Sequence, residues 1–195
     1  MLEARVNNMH IVIEGLPGSG KTTLATSLTE GGYYIKIDEM LQPINEDADE
    51  FAYVEHDIAK CALRKKYRNT VMDRSYLSTL AYNFANDKYS GSKNYPRIKR
   101  RISNELRHRR LTEPDLIIYL VSTNETSLLR QKPENAAFWR INEMLGYSQE
   151  YVLKYLKRNY GGSVVYIDSS QSQEDVYKQA KDIISKNVKK VAYEY

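Results

Sequence analysis

The apolar positions of this chain follow two alternating rhythms. Short, mostly apolar runs stand at Met9–Glu14, Tyr33–Ile37, Thr70–Met72, Leu116–Val121 and Ser163–Ile167. Their shortness and their turn-forming flanks predict strands, the first of the kind buried on both faces and Leu116–Val121 the clearest buried strand after it. Between them the apolar residues recur at helical spacing. Thr22–Leu28 carries Leu24, Ala25 and Leu28, and Phe51–Arg68 carries Phe51, Val54, Ile58, Cys61, Ala62 and Leu63. Tyr76–Phe84 and the basic stretch Ile98–Leu111 keep the same period. Asn124 caps a short predicted helix that reaches Arg130, and Pro133 interrupts it. Asn135–Arg158 continues mostly helical with Gly146 as the expected break, and Glu174–Val191 is the closing helix. Gly31-Gly32 ends a helix and Gly161-Gly162 is a turn, while Pro43–Glu50 is a polar, acidic loop and Gly91–Pro96 is rich in turn residues. Strands alternating with helices predict an α/β fold, an open parallel sheet covered on both faces with right-handed crossovers. At 195 residues the chain is expected to form one domain, burying about 70% of the surface its unfolded form would expose.

In such a sheet, ligands sit at the carboxyl ends of the strands. The first strand runs into Gly15-Leu16-Pro17-Gly18-Ser19-Gly20-Lys21-Thr22, the G-x-x-x-x-G-K-[ST] spacing of a phosphate-binding P-loop, followed by Thr23 and a helix. Strand, loop and helix together supply the chemistry. Successive backbone N–H groups curl around a phosphate, and the positive end of the helix points at it. Lys21 would reach the terminal phosphates, and the Thr22 hydroxyl would bind Mg²⁺. Gly15 to Thr23 is therefore the expected ATP-binding stretch.

Three further strand ends should face the same edge. They carry Asp38-Glu39, Asp73-Arg74-Ser75 and Asp168-Ser169-Ser170. Asp73 is a candidate partner of Thr22 at Mg²⁺, or else a brace for the P-loop. Arg74 can fork two N–H bonds onto a phosphate, or form a surface pair with Asp73. Asp38 or Glu39 could accept a proton from an acceptor hydroxyl or orient a sugar, with simple solvation as the alternative. Arg130-Gln131-Lys132 puts cations in a segment of about 130–140 that could close as a lid, Arg140 being a second candidate. Glu55-His56-Asp57 cannot act as one unit on a helix, because adjacent residues point apart. One of them, Glu55, is carried with Tyr82 as a candidate for the acceptor pocket.

Composition narrows the class. The formal charge of +4 suits anionic ligands and falls short of a strong nucleic-acid footprint. The basic excess is local, from Lys93 to Arg110, and suits either phosphates or a solvated helix face. The single cysteine, Cys61, excludes an intramolecular disulfide. No apolar run approaches membrane-spanning length and no signal-peptide layout opens the chain, so the expected setting is cytoplasmic.

Val71-Met72-Asp73-Arg74-Ser75-Tyr76-Leu77-Ser78-Thr79-Leu80-Ala81-Tyr82 resembles the D-R-Y-x-x-S-x-x-A-Y pattern of thymidylate kinases and the D/E-R-S of deoxynucleoside kinases. Pro114-Asp115-Leu116 resembles the P-D-L strand of the same group, and Ile167-Asp168-Ser169-Ser170-Gln171-Ser172 its I-D-A-S-Q-S segment. The resemblance implies a three-layer P-loop fold, with a five-stranded parallel sheet in the order 2-3-1-4-5 and a short lid. It also implies ATP and Mg²⁺ as cofactors, a homodimer, Arg74 on the acceptor side, Ser170 beside adenine and Arg130 in the lid. The R-E-P-G loop of thymidylate kinases is replaced by Asp38-Glu39-Met40, and serine follows Arg74.

The expected function is transfer of the γ-phosphate of ATP to a nucleoside or nucleoside monophosphate. A kinase of another small hydroxyl compound, such as an antibiotic, is the nearest alternative. A regulatory or nucleic-acid-associated ATPase is the alternative of another class.

Overall fold

Strand β1 (Met9–Gly15) is buried along its whole length, as an uninterrupted apolar run at the centre of a parallel sheet must be. The computed structural model describes residues 8–41, 49, 51–130, 142–161 and 163–193. After β1 come α1 (Lys21–Thr29), β2 (Ile35–Ile37), α2 (Ala52–Arg64), β3 (Asn69–Asp73), α3 (Tyr76–Ser90) and α4 (Tyr95–Arg107). Strand β4 (Leu116–Val121), α5 (Asn124–Arg130), α6 (Asn142–Tyr160), β5 (Val164–Asp168) and α7 (Gln173–Tyr193) complete the chain. The five strands pair in parallel in the order β2-β3-β1-β4-β5, as expected.

Two cores flank the sheet because alternate strand residues point to opposite faces. Ile11, Ile13, Val71, Leu116, Ile118 and Leu120 pack with Leu24 and Ala25 of α1 and Ala180 and Ile184 of α7. Val12, Met72, Ile117 and Tyr119 pack with Val54 of α2, Leu77 and Leu80 of α3, Ile98 of α4 and Leu156 of α6. Each fully buried aliphatic side chain contributes roughly 1.5–3 kcal/mol.

Helix ends follow the expected chemistry in most places. Ser75 caps α3 by accepting from the Leu77 amide at 3.3 Å, and Gly91 ends it at φ 73°. Gly146 does not break the helix. Helix α6 runs straight through it, and a Cβ there would meet Asn124 Nδ2 at 3.6 Å, an ordinary contact, so the position has room for a side chain and the helix keeps its course. The turn-rich stretch before Pro96 is also shorter than expected, because α4 starts at Tyr95 with Pro96 in its first turn.

The many tyrosines stitch the helices on one face. Tyr76 and Tyr160 share a buried hydrogen bond between their hydroxyls, and Tyr95 Oη lies 2.9 Å from Tyr151 Oη. Phe84 stacks on Tyr151 with ring centroids 4.8 Å apart. A tyrosine can serve in a core of this kind when its polar tip finds a partner. No helix among the described residues is long and apolar enough to cross a membrane.

Candidate active site

The carboxyl ends of β1 and β3 lie level, with Ile13 opposite Asp73. Strand alternation then sorts the polar residues that end them. Asp73 follows Val71 toward α1, where its Oδ2 accepts from Thr22 Oγ1 at 2.6 Å. Glu14 follows Val12 to the other face, toward α3. Asp73 Oδ1 is buried with no partner.

The P-loop is shaped by two tight places. Gly15 has φ 149°, and a Cβ there would stand 2.7 Å from the Leu120 carbonyl oxygen of the neighbouring strand. Gly18 has φ 73°, and a Cβ there would stand 2.9 Å from Arg130 Cβ. Only glycine fits either place. Lys21 is buried and donates from Nζ to the Leu16 carbonyl at 2.7 Å across the loop. Burial, and then the charge of Arg74, bring its pKa down to about 7 despite the attraction of Asp73, Glu39 and Glu14. Ser127 Oγ donates to the Pro17 carbonyl at 2.5 Å, holding α5 on the loop.

Arg130 ends α5 and donates from Nη1 to the Ser169 carbonyl at 3.2 Å, while Ser169 Oγ donates to the Val121 carbonyl at 2.8 Å. Arg130 therefore bridges the P-loop and the β5–α7 turn. Ser170 lies in that turn, exposed, with its amide donating to Asp168 Oδ1 at 2.9 Å. The expected lid beyond Arg130, including Arg140, falls in 131–141, outside the described residues.

Arg74 holds the opposite side together. Its φ of 59° is left-handed, rare for a non-glycine residue. Its amide donates to the Ile13 carbonyl at 3.1 Å, extending the ladder to the P-loop strand. The guanidinium Nε lies 2.6 Å from Glu39 Oε1, and Nη1 donates to Ser78 Oγ at 3.2 Å. Ser78 Oγ in turn donates to Glu14 Oε2 at 2.6 Å, and Ser75 donates to Glu14 Oε1 from its amide at 2.9 Å and its hydroxyl at 2.7 Å. Burial raises the pKa of Glu14 against those hydrogen bonds and the charges of Arg74 and Lys21. Burial also opposes ionisation of Glu39. There the cations Arg74, Lys21 and Lys60 prevail and hold it below the ordinary glutamate range.

The acidic pair after β2 divides. Glu39 turns in to Arg74, while Asp38 is 62% exposed at its side chain and pairs with Lys36 at 2.8 Å, so the structure does not bring Asp38 to the P-loop. Glu55 is likewise turned away: Arg101 at 2.5 Å and Arg110 at 3.4 Å engage its carboxylate. The helical phase explains this, since α2 buries Val54, Asp57 and Cys61 and leaves Glu55 outside. Its neighbours face inward instead. His56 Nε2 accepts from the Leu41 amide at 2.9 Å, and Asp57 accepts from Thr79 Oγ1 at 2.7 Å. Tyr82 is half-buried on α3 near Tyr53, and burial followed by that neighbour raises its pKa. Within the basic stretch, Arg101 and Arg110 both reach the buried Glu105 and Arg97 sits 5.3 Å over the Phe51 ring, while Lys93, Lys99, Arg100, Arg107 and Arg109 stand exposed.

Sequence reasoning passed over Glu14, Ser78 and Lys60. Their signal was a polar residue inside an apolar pattern: Glu14 at the end of a buried strand, and Lys60 on the same helical face as Val54 and Asp57.

A chain from Archaeoglobus fulgidus named "Probable thymidylate kinase" is 28% identical over 93% of this chain and 98% of its own length. The similarity to that chain runs through nearly the whole length of both. The fold agrees at longer range. Deoxyadenosine kinase from M. mycoides with bound dATP superposes with a TM-score of 0.70 at 16% identity, over 91% of this chain and 100% of that one. Thymidylate kinase from Candida albicans superposes at 0.68 with 20% identity, over 93% and 94% of the two chains. These likenesses establish the P-loop kinase fold. Comparison with models of known protein families finds no match.

Proposed function

We propose that this chain transfers the γ-phosphate of ATP to the hydroxyl of a nucleoside. The observation that carries the reading is the Glu39–Arg74 pair, 2.6 Å apart, on the strand end beside the P-loop. The amides of residues 15–22 and Lys21 would hold the triphosphate. Thr22 and Asp73 would hold Mg²⁺: a hydroxyl and a carboxylate are the hard oxygen donors it takes, and Asp73 Oδ1 is buried without a partner. When bound, the ion would neutralise charge on the phosphates.

In the transfer, the acceptor oxygen bonds to the γ-phosphorus as the bond from that phosphorus to the bridging oxygen breaks, and ADP departs. Glu39 takes the hydroxyl proton. A carboxylate held ionised is able to do so. Arg74, fixed on both edges of its guanidinium, would orient the acceptor and spread the growing charge. Arg130, lodged between the P-loop and the adenine-side turn, would lie over the donor phosphates.

A nucleoside monophosphate is the second reading, favoured by the similarity to the chain named thymidylate kinase. The site chemistry tilts against it. Arg74 is already neutralised by Glu39, and a phosphate acceptor would have to displace that carboxylate, whereas a neutral alcohol need only hydrogen-bond to it. Incubation with ATP and Mg²⁺ and a panel of deoxynucleosides, ribonucleosides and their 5′-monophosphates decides the matter. The expected result is a nucleoside 5′-monophosphate product. Products from monophosphates alone would transfer the assignment to the second reading, and no product from any member would sink both.

A further inference from the structure

Lys60 lies 1% exposed under the junction of β3 and the segment after β2. An ammonium is costly to bury unless its three N–H groups are met. All three are met here by backbone carbonyls: Asp73 at 2.7 Å, Arg74 at 2.9 Å and Glu39 at 3.3 Å. Two of these carbonyls belong to the residues whose side chains form the acceptor pair, and the third belongs to the residue that receives the Thr22 hydroxyl. Glu39 has no regular secondary structure to fix it, since β2 ends at Ile37. Arg74 is held at a left-handed φ of 59°, a conformation that costs about 1 kcal/mol or more and persists only where its surroundings impose it.

We infer that Lys60 is the positioning residue of the acceptor side, clamping the backbones of Glu39 and Arg74 so that their side chains meet in register with the P-loop. The clamp works through main-chain oxygens, so it sets where the two functional residues stand without touching a substrate. Asp57 and Thr79 flank it on α2 and α3, and the charges of Asp57, Asp73, Glu14 and Glu39 surround it. The phosphate-binding loop is held by other contacts, Lys21 and the loop glycines by Leu16, Leu120 and α5, and Asp73 is the one donor-side residue whose carbonyl Lys60 also meets, with its carboxylate tied separately to Thr22.

The inference rests on the proposed acceptor role of Glu39 and Arg74, and its test separates the two. Lys60→Met keeps the length and burial of the side chain and removes its donors. With thymidine, deoxyadenosine and deoxycytidine as acceptors, K60M should lose about a hundredfold in kcat/KM for the acceptor while KM for ATP stays within threefold. Lys60→Gln, which restores two donors, should recover about tenfold of that loss. A parallel fall in both substrates' parameters, or no fall, overturns the inference.

One readout needs no turnover. The Arg74 Hε–Nε signal in a ¹H–¹⁵N spectrum should be slowly exchanging in the wild-type chain, collapse to the solvent-exposed position in K60M and lie between the two in K60Q. If it stays unchanged, Lys60 is no clamp, whatever the enzyme phosphorylates. If the wild-type chain phosphorylates no nucleoside yet the signal collapses, the clamp stands and the acceptor assignment falls. Should neither variant fold, the wild-type lysine Nζ spectrum decides: a slowly exchanging ammonium assigned to Lys60 through its own side-chain carbons, and so told apart from the buried Lys21, is expected, and its absence overturns the inference.

Discussion

The two halves of the candidate site are made of different material. The donor half, from Gly15 to Thr22, is main chain. Its shape comes from glycines at φ 149° and 73° and from amides at the start of α1. The acceptor half, around Glu39, Arg74 and Lys60, is a buried network of side chains gathered from β1, β3, α2, α3 and the segment after β2. Backbone shape is written in a short contiguous motif, whereas a network is assembled by the fold from residues that are distant in sequence. The two halves should therefore fail differently when they are cut.

The largest expected effect is on the donor half. Lys21→Met should lower kcat/KM with ATP by about 10³-fold, because a preorganised charge on the transferring phosphate is lost. The melting temperature should hold or rise. Burial works against the charge of Lys21, and its one hydrogen bond closes a loop that the glycines already shape. Differential scanning fluorimetry beside steady-state kinetics checks this. A variant that melts much earlier would make Lys21 a structural residue as well.

That contrast bears on what could be read from the residues alone. The parallel sheet, the P-loop and the shared edge of the strand ends follow from a motif and from apolar runs of fixed period, which are local signals, whereas the strand order came from the family resemblance. Asp73 beside Thr22 was accessible in the same way, since it ends a short buried strand. The choice between Asp38 and Glu39 was not. Adjacent residues in a segment without regular structure carry no phase, and only the position of Arg74 and Lys60 decides which carboxylate turns inward. Glu55 had the opposite fault. Its helix does carry a phase, with Val54, Asp57 and Cys61 buried, and that phase already directs Glu55 outward. Lys60 and Glu14 stayed hidden because a charged residue in an apolar pattern is usually an exposed exception. Here each is buried with every bond met.

The next effect separates the acidic pair. Glu39→Gln should lower kcat by about 10²-fold, the usual contribution of a positioned base, and should flatten the acidic limb of the pH–rate profile. Asp38→Asn should leave kcat within about twofold, because an exposed pair with Lys36 contributes roughly 0–1 kcal/mol. Kinetics of both variants on the same nucleoside decide between them. Equal losses would mean that Asp38 swings inward during turnover, and the two halves would then differ less than their contacts imply.

The smallest effect tests whether the acceptor network costs stability. Asp57 is buried, and burial raises its pKa to about 6 against the charge of Lys60 and the hydrogen bond from Thr79. Its folded pKa therefore lies above its unfolded value. Such a group binds its proton more tightly in the folded chain, so its contribution is fully present below about pH 4 and is lost as pH rises through 6. Asp57→Asn keeps an acceptor for Thr79 and removes the titration. In urea denaturation, the stability of D57N relative to wild type should improve by about 1–3 kcal/mol between pH 4 and pH 7.5, a shift of roughly two pKa units setting the upper end. A difference that stays constant across that range would mean that Lys60 fully compensates the buried carboxylate. The network would then be no more costly than the backbone loop it faces.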